Sequence, residues 1–371
     1  MENRMKIIMR TSFIGIGVNV LLATFKILVG MIANSISILM DGVNNLADAG
    51  SSLITIVGTA LAGKAADKKH PFGYGRIEYL SSLLIAGLIL YTGVTSIVES
   101  IKGIISPTVS EYSILSIAVI IVAVLVKMIL GLYTQKMGAK ANSDSLIASG
   151  KDAMLDVLLS VATVVVAIVY MVFGLRLEAY VATVISVLII KTGIELLKET
   201  ISKIIGEPGD VQLIIDIKKT ITSMPGVNGA YDLVLDNYGP ETYMGSVHVE
   251  VDDTLSVNDL DRLSRAIVEK VIAEHGVVIT AVGFYSHCIS KEEVLQLESS
   301  VRKFAIKQPY VKGIHGFYVD MEAKKMRFDT VVSFDAGVRE DAFARALEAI
   351  KAEYPEYDIY STMDTDFNEL V

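Results

Sequence analysis

The sequence predicts a helical membrane protein followed by a small α+β domain that is repeated. Three observations support this fold class. The 371 residues are 52% hydrophobic, with a mean hydropathy of +0.52, which is too apolar for an ordinary soluble protein. The apolar residues concentrate in the first 205 positions, which hold 17 Lys and Arg against 13 Asp and Glu. The remaining positions hold 16 against 29, so an acidic, less apolar region follows a slightly basic membrane region.

Six stretches of the first region are long enough to cross a bilayer, which takes about 20 helical residues. The second and fifth stretches are the least hydrophobic because they carry aspartates. Lys and Arg cluster in the N-terminal segment and in the loops after the second and fourth stretches. The positive-inside rule then predicts a protein of the cell membrane with both termini in the cytoplasm. The predicted spans are 8–32, 35–62, 79–104, 112–136, 145–172 and 177–201.

Oxygen-bearing side chains recur one helical turn apart in two of these spans. Asn44 precedes Asp48 by four residues, and Asp152 precedes Asp156 by four, so each pair shares one helix face. Because a carboxylate at mid-bilayer costs about 2.5–3.5 kcal/mol, three aspartates indicate a compensating cation. Hard oxygen donors favour Mn²⁺, with Fe²⁺ next, whereas Zn²⁺ usually recruits His or Cys. We therefore predict a divalent-metal site, with Asp41 either as a further ligand or as a charge at its entrance.

Other polar residues of the spans have simpler interpretations. Asn45 is expected to pack between helices, because polar residues in membrane helices often serve as interhelical contacts. Lys26, Lys127 and Lys191 lie off-centre in their spans and are expected to extend toward a headgroup region.

Short amphipathic elements follow the sixth span. A helix at 211–224, strands at 230–236 and 243–251, a helix at 257–275 and a strand at 277–285 give the order α-β-β-α-β of a ferredoxin-like domain.

A second copy of this domain is predicted after the first. Residues 225–229 resemble residues 309–313 at an offset of 84. A helix at 339–353 and a strand at 357–362 complete the repeat. The predicted domains are a six-helix transmembrane domain at 1–206, a ferredoxin-like domain at 207–291 and its repeat at 292–371.

Three segments resemble one known family. SISILMDGVNNLADAGSS at 35–52, HPFGYGRIE at 70–78 and KDAMLDVLLS at 151–160 are similar to the cation diffusion facilitator family of divalent-metal transporters. The resemblance covers about residues 8–290. It implies a homodimer that exports cytoplasmic metal in exchange for protons by alternating access. It also implies a transport site made by the two polar pairs.

The resemblance also bears on the choice of metal. Zinc-transporting members have a histidine in one pair, and the absence of one here resembles the manganese-transporting branch. A Zn²⁺ or Fe²⁺ exporter of the same family is the alternative.

Accessory metal sites are implied by the resemblance as well. Some members bind a metal in the loop between spans two and three, where Asp67 and His70 match. In relatives the cytoplasmic domain binds metals at its dimer interface. His248 matches one such ligand, Asp261 falls near another, and His287 lies near the end of the last strand of that domain.

Other classes of function find little support in the sequence. We see no nucleophile with a base, no phosphate-cradling glycine loop and no HExxH, so a transporter with no permanent cofactor is favoured over an enzyme. The acidic tail argues against nucleic acid, which leaves metal ions, protons and lipid as partners. A membrane-anchored metal sensor is the alternative from another class. His315, the only histidine of the repeat, is isolated and makes no ligand cluster in the sequence.

Overall fold

The structure is a computed structural model. The chain divides into two compact units, one of residues 1–207 with 238–241 and one of residues 208–237 with 242–371. The side chains of Asp41 and Asn44 lie outside the described residues, although both positions belong to a described helix. The structure describes residues 2–32, 36–106, 114–175, 177–207, 211–240 and 242–365.

Long helices make up the first unit, and they are hydrophobic on the outside. By length and composition, five helices among the described residues can cross a membrane, and the apolar part of the second long helix is Asp48–Ala62. With the second helix, the unit has six long helices among the described residues, and they overlap the six spans predicted from the sequence. They are α1 (Glu2–Ile32), α2 (Ile36–Ala62), α3 (Ile77–Ile105), α4 (Ile114–Lys140), α5 (Asp144–Phe173) and α6 (Glu178–Ile205).

Glycines let α4 and α5 pack closely. A Cβ atom placed on Gly150 would lie 2.8 Å from the backbone nitrogen of Gln135, and one on Gly138 would lie 2.9 Å from that of Ile147. Small residues at a helix contact allow this approach, which is a common way to join helices in lipid. The contact brings the inner face of α4 against the polar face of α5.

A buried ion pair ties the start of α1 to the start of α3. The guanidinium of Arg4 donates to both carboxylate oxygens of Glu78 at 2.8 Å, and the Glu78 side chain is only 1% exposed. Arg4 also donates to the backbone carbonyl oxygens of Ala141 and Asn142 in the α4–α5 turn. One side chain therefore joins three parts of the bundle.

The second unit contains two copies of an α-β-β-α-β arrangement, in the order predicted. In each copy the first two strands are antiparallel and the third runs parallel to the second, which lies at the centre of a three-stranded sheet. The first copy comprises α7 (Val211–Thr222), β1 (Gly229–Asn237), β2 (Tyr243–Asp252), α8 (Val257–His275) and β3 (Val278–His287). The second comprises α9 (Glu292–Ala305), β4 (Val311–Asp320), β5 (Lys325–Val332), α10 (Arg339–Glu353) and β6 (Asp358–Asp364).

Alternation along the central strands separates a core face from a polar face. Val247 and Val249 are buried in a core with α7 and α8, so His248 and Glu250 lie on the opposite face of the sheet. In the second copy Phe328 is fully buried in the equivalent core, and the next residue, Asp329, lies on the opposite face of the sheet. Each sheet therefore has one face covered by its own helices and one polar face.

Matching irregularities occur in the first strand of each copy. The register shifts between Tyr231 and Val234 in β1 and between His315 and Tyr318 in β4. Each bulge contains a residue with positive φ, +49° at Asp232 and +61° at Gly316. These two residues are separated by the same 84 positions as the repeated turns. A β-bulge bends a strand and redirects its side chains, so both copies redirect theirs at the same place.

Candidate metal site in the helix bundle

Lys127 on α4 lies inside the bundle, between two of the predicted ligands. Its side-chain nitrogen is 2.7 Å from Oδ2 of Asp48 on α2 and 2.6 Å from Oδ2 of Asp156 on α5. The residue is 6% exposed. The prediction that Lys127 extends toward the headgroups was therefore wrong. Two carboxylates in an apolar bundle hold an ammonium more strongly than an interface does, because each charge would otherwise be buried without a partner.

The structure also tests what the sequence predicted for Lys26, Lys191 and Asn45. Lys26 is also buried, at 2% exposure, so the headgroup prediction was wrong there too. Lys191 is exposed and lies 3.8 Å from Glu195. Asn45 is buried as expected for a packing residue, but its amide has no hydrogen-bond partner among the described residues.

A small polar cavity adjoins the lysine. Its volume is about 20 Å³, enough for roughly one water molecule. Asp152 on α5 lines it together with Asp48 and Lys127, and it interacts electrostatically with both of these and with Asp156. The remaining lining residues are Gly15, Asn19, Ser51, Ser52, Leu130, Thr134, Ser149 and Ala153.

The structure thus brings together three of the four predicted ligands. Asp48, Asp152 and Asp156 converge from two helices, as the paired spacing predicted. Asn44 belongs to α2 one turn before Asp48, but its side chain, like that of Asp41, lies outside the described residues. Lys127 joins Asp48 to Asp156, and Asp152 lines the cavity beside Asp48 and Lys127. Carboxylate oxygens are the hard donors that ions such as Mn²⁺ prefer.

The loop between α2 and α3 holds the first accessory candidates. Asp67 accepts hydrogen bonds from the backbone N–H groups of Lys69 and His70 at 2.9 Å and from the Tyr74 hydroxyl at 2.6 Å. These bonds, the Tyr74 bond foremost, hold the pKa of Asp67 well below its usual range. The His70 Nδ1 atom is 3.5 Å from Asp67 Oδ1, so the two candidates are adjacent. The carboxylate already closes the turn with its hydrogen bonds.

The candidates in the second unit are not brought together. Asp261 is exposed on α8 and pairs with Arg265 at 3.0 Å. His287 lies 3.6 Å from Glu298 on α9. His248 is not near either of them. Its Nδ1 atom lies 2.7 Å from Oδ2 of Asp232, which belongs to the β1 bulge.

A cluster that the sequence did not predict surrounds His248. Asp232, His315 and Asp329 each offer a ligand atom, and these atoms lie within 4.8 Å of one another. His315 is isolated in the sequence, but the fold brings it to partners from strands of both copies. The repeat offset of 84 was the available signal, since it aligns His315 with Tyr231, beside Asp232.

Comparison with known proteins supports the resemblance seen in the three segments. Residues 12–205 match the model of the cation efflux transmembrane domain, and residues 210–282 match that of the cation efflux protein cytoplasmic domain. Magnetosome protein MamB of Magnetospira sp. is 29% identical over 69% of this chain and 87% of its own length. Manganese efflux system protein MneP of Bacillus subtilis is 26% identical over 59% of this chain and 76% of its own length.

An uncharacterized transporter of Methanocaldococcus jannaschii is 28% identical over 68% of this chain and 89% of its own length. The predicted fold class is confirmed, and so is the assignment as a transporter rather than an enzyme. The two family domains together span most of the chain, and the chain belongs to the cation efflux family, the cation diffusion facilitators, which are multi-pass membrane transporters of metal ions.

Proposed function

We propose that this protein exports Mn²⁺ from the cytoplasm in exchange for protons. The ion binds between α2 and α5, on Asn44, Asp48, Asp152 and Asp156. The observation that carries the proposal is the position of the Lys127 ammonium, within 2.7 Å of both Asp48 and Asp156. A point that accommodates one buried cation between two helices can accommodate another.

Ligand chemistry supports manganese as the cargo. The three carboxylates and the Asn44 amide are all hard oxygen donors, with no imidazole or thiolate in the set. Such a set suits Mn²⁺ better than Zn²⁺. Two relatives from Bacillus subtilis are named manganese efflux system proteins, which points the same way.

Lys127 has a defined part in this mechanism. Three carboxylates and one ammonium have a formal charge of −2, which a divalent ion neutralises. In the metal-free site the ammonium keeps Asp48 and Asp156 together despite their repulsion. When the metal binds, it replaces Lys127 at these oxygens, and the lysine returns when the metal leaves. The tethered cation therefore competes with the cargo.

The remaining parts of the proposal concern topology and assembly. Both termini face the cytoplasm, because the positive-inside rule assigns the loops rich in Lys and Arg to that side. The transmembrane domain covers residues 1–206, and the two ferredoxin-like domains cover 207–291 and 292–371. The working form is a homodimer, and the family model that matches the cytoplasmic domain at residues 210–282 is named for dimerisation, which supports this.

Reconstituted vesicles test the transport site. Wild-type protein in liposomes with a manganese-sensitive dye inside and a pH gradient should carry Mn²⁺, and the flux should stop when the gradient is collapsed. Asp156→Ala should abolish flux. Glu195→Ala, which removes an exposed carboxylate from α6, should leave it unchanged. Normal flux in Asp156→Ala would reject the site.

The same vesicles separate the alternatives. A Zn²⁺ or Fe²⁺ exporter would carry that ion faster than Mn²⁺ through the same Asp156-dependent route. A membrane-anchored sensor would carry none of the three ions, although it would still bind metal.

A further inference from the structure

The polar faces of the two sheets meet in a cluster that the transport mechanism does not use. Asp232 comes from β1 of the first copy, and His315 and Asp329 come from β4 and β5 of the second. Two of the three lie beyond residue 282, where the match to the family's cytoplasmic domain ends. The cluster is therefore a feature of the tandem arrangement within one chain.

Hydrogen bonding leaves this cluster incompletely satisfied. His315 is 3% exposed, and its Nδ1 atom has no hydrogen-bond partner among the described residues. The same is true of the buried Oδ1 atom of Asp232, although the His315 Nε2 atom lies 3.2 Å from it. A buried polar atom without a partner costs about 1–3 kcal/mol, so an unsatisfied carboxylate oxygen facing an imidazole requires an explanation.

Too few protons are available for the contacts. The Tyr285 hydroxyl lies 2.8 Å from an oxygen of Asp232 and 2.8 Å from one of Asp329, yet it has one proton to donate. The Nε2 atom of His315 lies 3.0 Å from Asp364 as well as 3.2 Å from Asp232. At least one close contact on each of these two groups therefore lacks a hydrogen.

Charge points in the same direction. Asp232, Asp329 and Asp364 bring three carboxylates together with the imidazoles of His248 and His315. Even with both imidazoles protonated, the cluster has a formal charge of −1. With both neutral, the charge is −3. A divalent cation would reduce this repulsion, and it would be coordinated by the Asp232 Oδ1 atom that has no hydrogen-bond partner in the part of the chain that the structure describes.

The backbone supplies an independent observation. Asp232 has φ of +49°, a left-handed conformation that is uncommon outside glycine, and it lies in the β1 bulge. His315 begins the matching bulge in β4. Irregular backbone of this kind is common where a side chain is redirected toward a functional site. Here both bulges direct ligand residues to the same point.

We propose that Asp232, His315 and Asp329 bind a divalent first-row metal ion that holds the two ferredoxin-like copies together. One imidazole and two carboxylates suit Mn²⁺, Fe²⁺ and Zn²⁺ and are poorly suited to a monovalent ion. The site is separate from the transport site, because it shares no ligand with the helix bundle and contains nitrogen.

Nitrogen coordination gives the test. Bound Mn²⁺ in the purified full-length protein is examined by pulsed electron paramagnetic resonance, which detects ¹⁴N bonded to the ion. The signal should be present in the wild type and in Asp156→Ala, and absent in His315→Gln. His70→Gln is the control, because it removes the imidazole of the α2–α3 loop. The proposal would be overturned if the wild type gave no nitrogen signal, or if the signal remained in His315→Gln.

A second variant tests the same site with a smaller change, in case His315→Gln disturbs the fold. Asp329→Asn keeps the shape of the side chain and leaves His315 in place, so it should weaken Mn²⁺ binding at this site at least tenfold and lower the bound metal by one ion per chain. Asp358→Asn, an exposed aspartate of β6 in the same sheet, is its matched control and should retain wild-type binding. Equal metal content in the two variants would also overturn the proposal, whether or not the transport site behaves as proposed.

Discussion

Lys127 of α4 and Asp156 of α5 form an ion pair of 2.6 Å in the middle of the membrane unit. The same ammonium reaches Asp48 of α2 at 2.7 Å, so one residue links three helices. In the mechanism proposed above, Lys127 is the cation that the metal displaces.

Removal of the lysine should make the protein depend on metal for stability. Lys127→Met leaves the carboxylates without their counter-ion, which should cost about 3–5 kcal/mol in the metal-free protein. Mn²⁺ should then bind at least tenfold more tightly, because its competitor is gone. Thermal unfolding in detergent with and without Mn²⁺ measures both effects. Lys191→Met is the control, and an unchanged Mn²⁺ affinity in Lys127→Met would contradict competition.

A histidine in the site should change the preferred ion. Asp152→His adds the imidazole that Zn²⁺ favours, so the ratio of Zn²⁺ to Mn²⁺ flux should rise at least tenfold in vesicles. Asp152→Asn removes the charge without adding nitrogen and should not produce this rise. If the ratio of Zn²⁺ to Mn²⁺ flux rises equally in both variants, the charge of the site rather than the type of ligand sets the preference for the ion.

Close packing of α4 on α5 should be needed for transport. Gly150→Val introduces atoms next to the Gln135 backbone, and overpacking of this kind costs about 1–3 kcal/mol. Separation of the helices would move Lys127 away from Asp156, so Mn²⁺ flux should fall with stability. Gly87→Val on α3 meets no atom within 4 Å of the new Cβ and should be tolerated. Unfolding temperatures and vesicle flux, measured together, check this prediction.

The pair of Arg4 and Glu78 should matter more for stability than an exposed ion pair. Glu78→Ala leaves the Arg4 guanidinium without its buried partner, with an expected loss of about 3–5 kcal/mol. Glu195→Ala breaks a pair on the surface of α6, where the expected loss is about 0–1 kcal/mol. Denaturant unfolding of both variants gives the comparison. Equal losses would mean that the buried pair has no special role.

The parts of the site that follow from helix periodicity were predictable. Spacing of four residues fixes a common face, so Asp152 and Asp156 were expected to point together, and the structure brings Asp48 to them. Lys127 was not predictable in this way. Its direction depends on which helix packs beside α4, and the packing of α4 on α5 is a tertiary contact that the periodicity of one helix does not show.

The cluster in the second unit illustrates a different difficulty. Turn residues and alternation predicted the first α-β-β-α-β copy with strand positions close to those observed, and the repeated turn predicted that a second copy follows. His315 nevertheless looked isolated, because Asp232 is 83 residues away and belongs to the other copy. A bulge also shifts the strand register at Asp232 and at His315, so alternation along the sequence does not show which side chains meet.

Fusion of the two copies in one chain lets equivalent positions diverge. Tyr231 pairs with His248 across β1 and β2, and His315 pairs with Asp329 at the corresponding place across β4 and β5. Two identical subunits meeting through these faces would present every residue twice. A duplicated gene is free of that constraint, so selection can alter one half of the junction while the other keeps its chemistry.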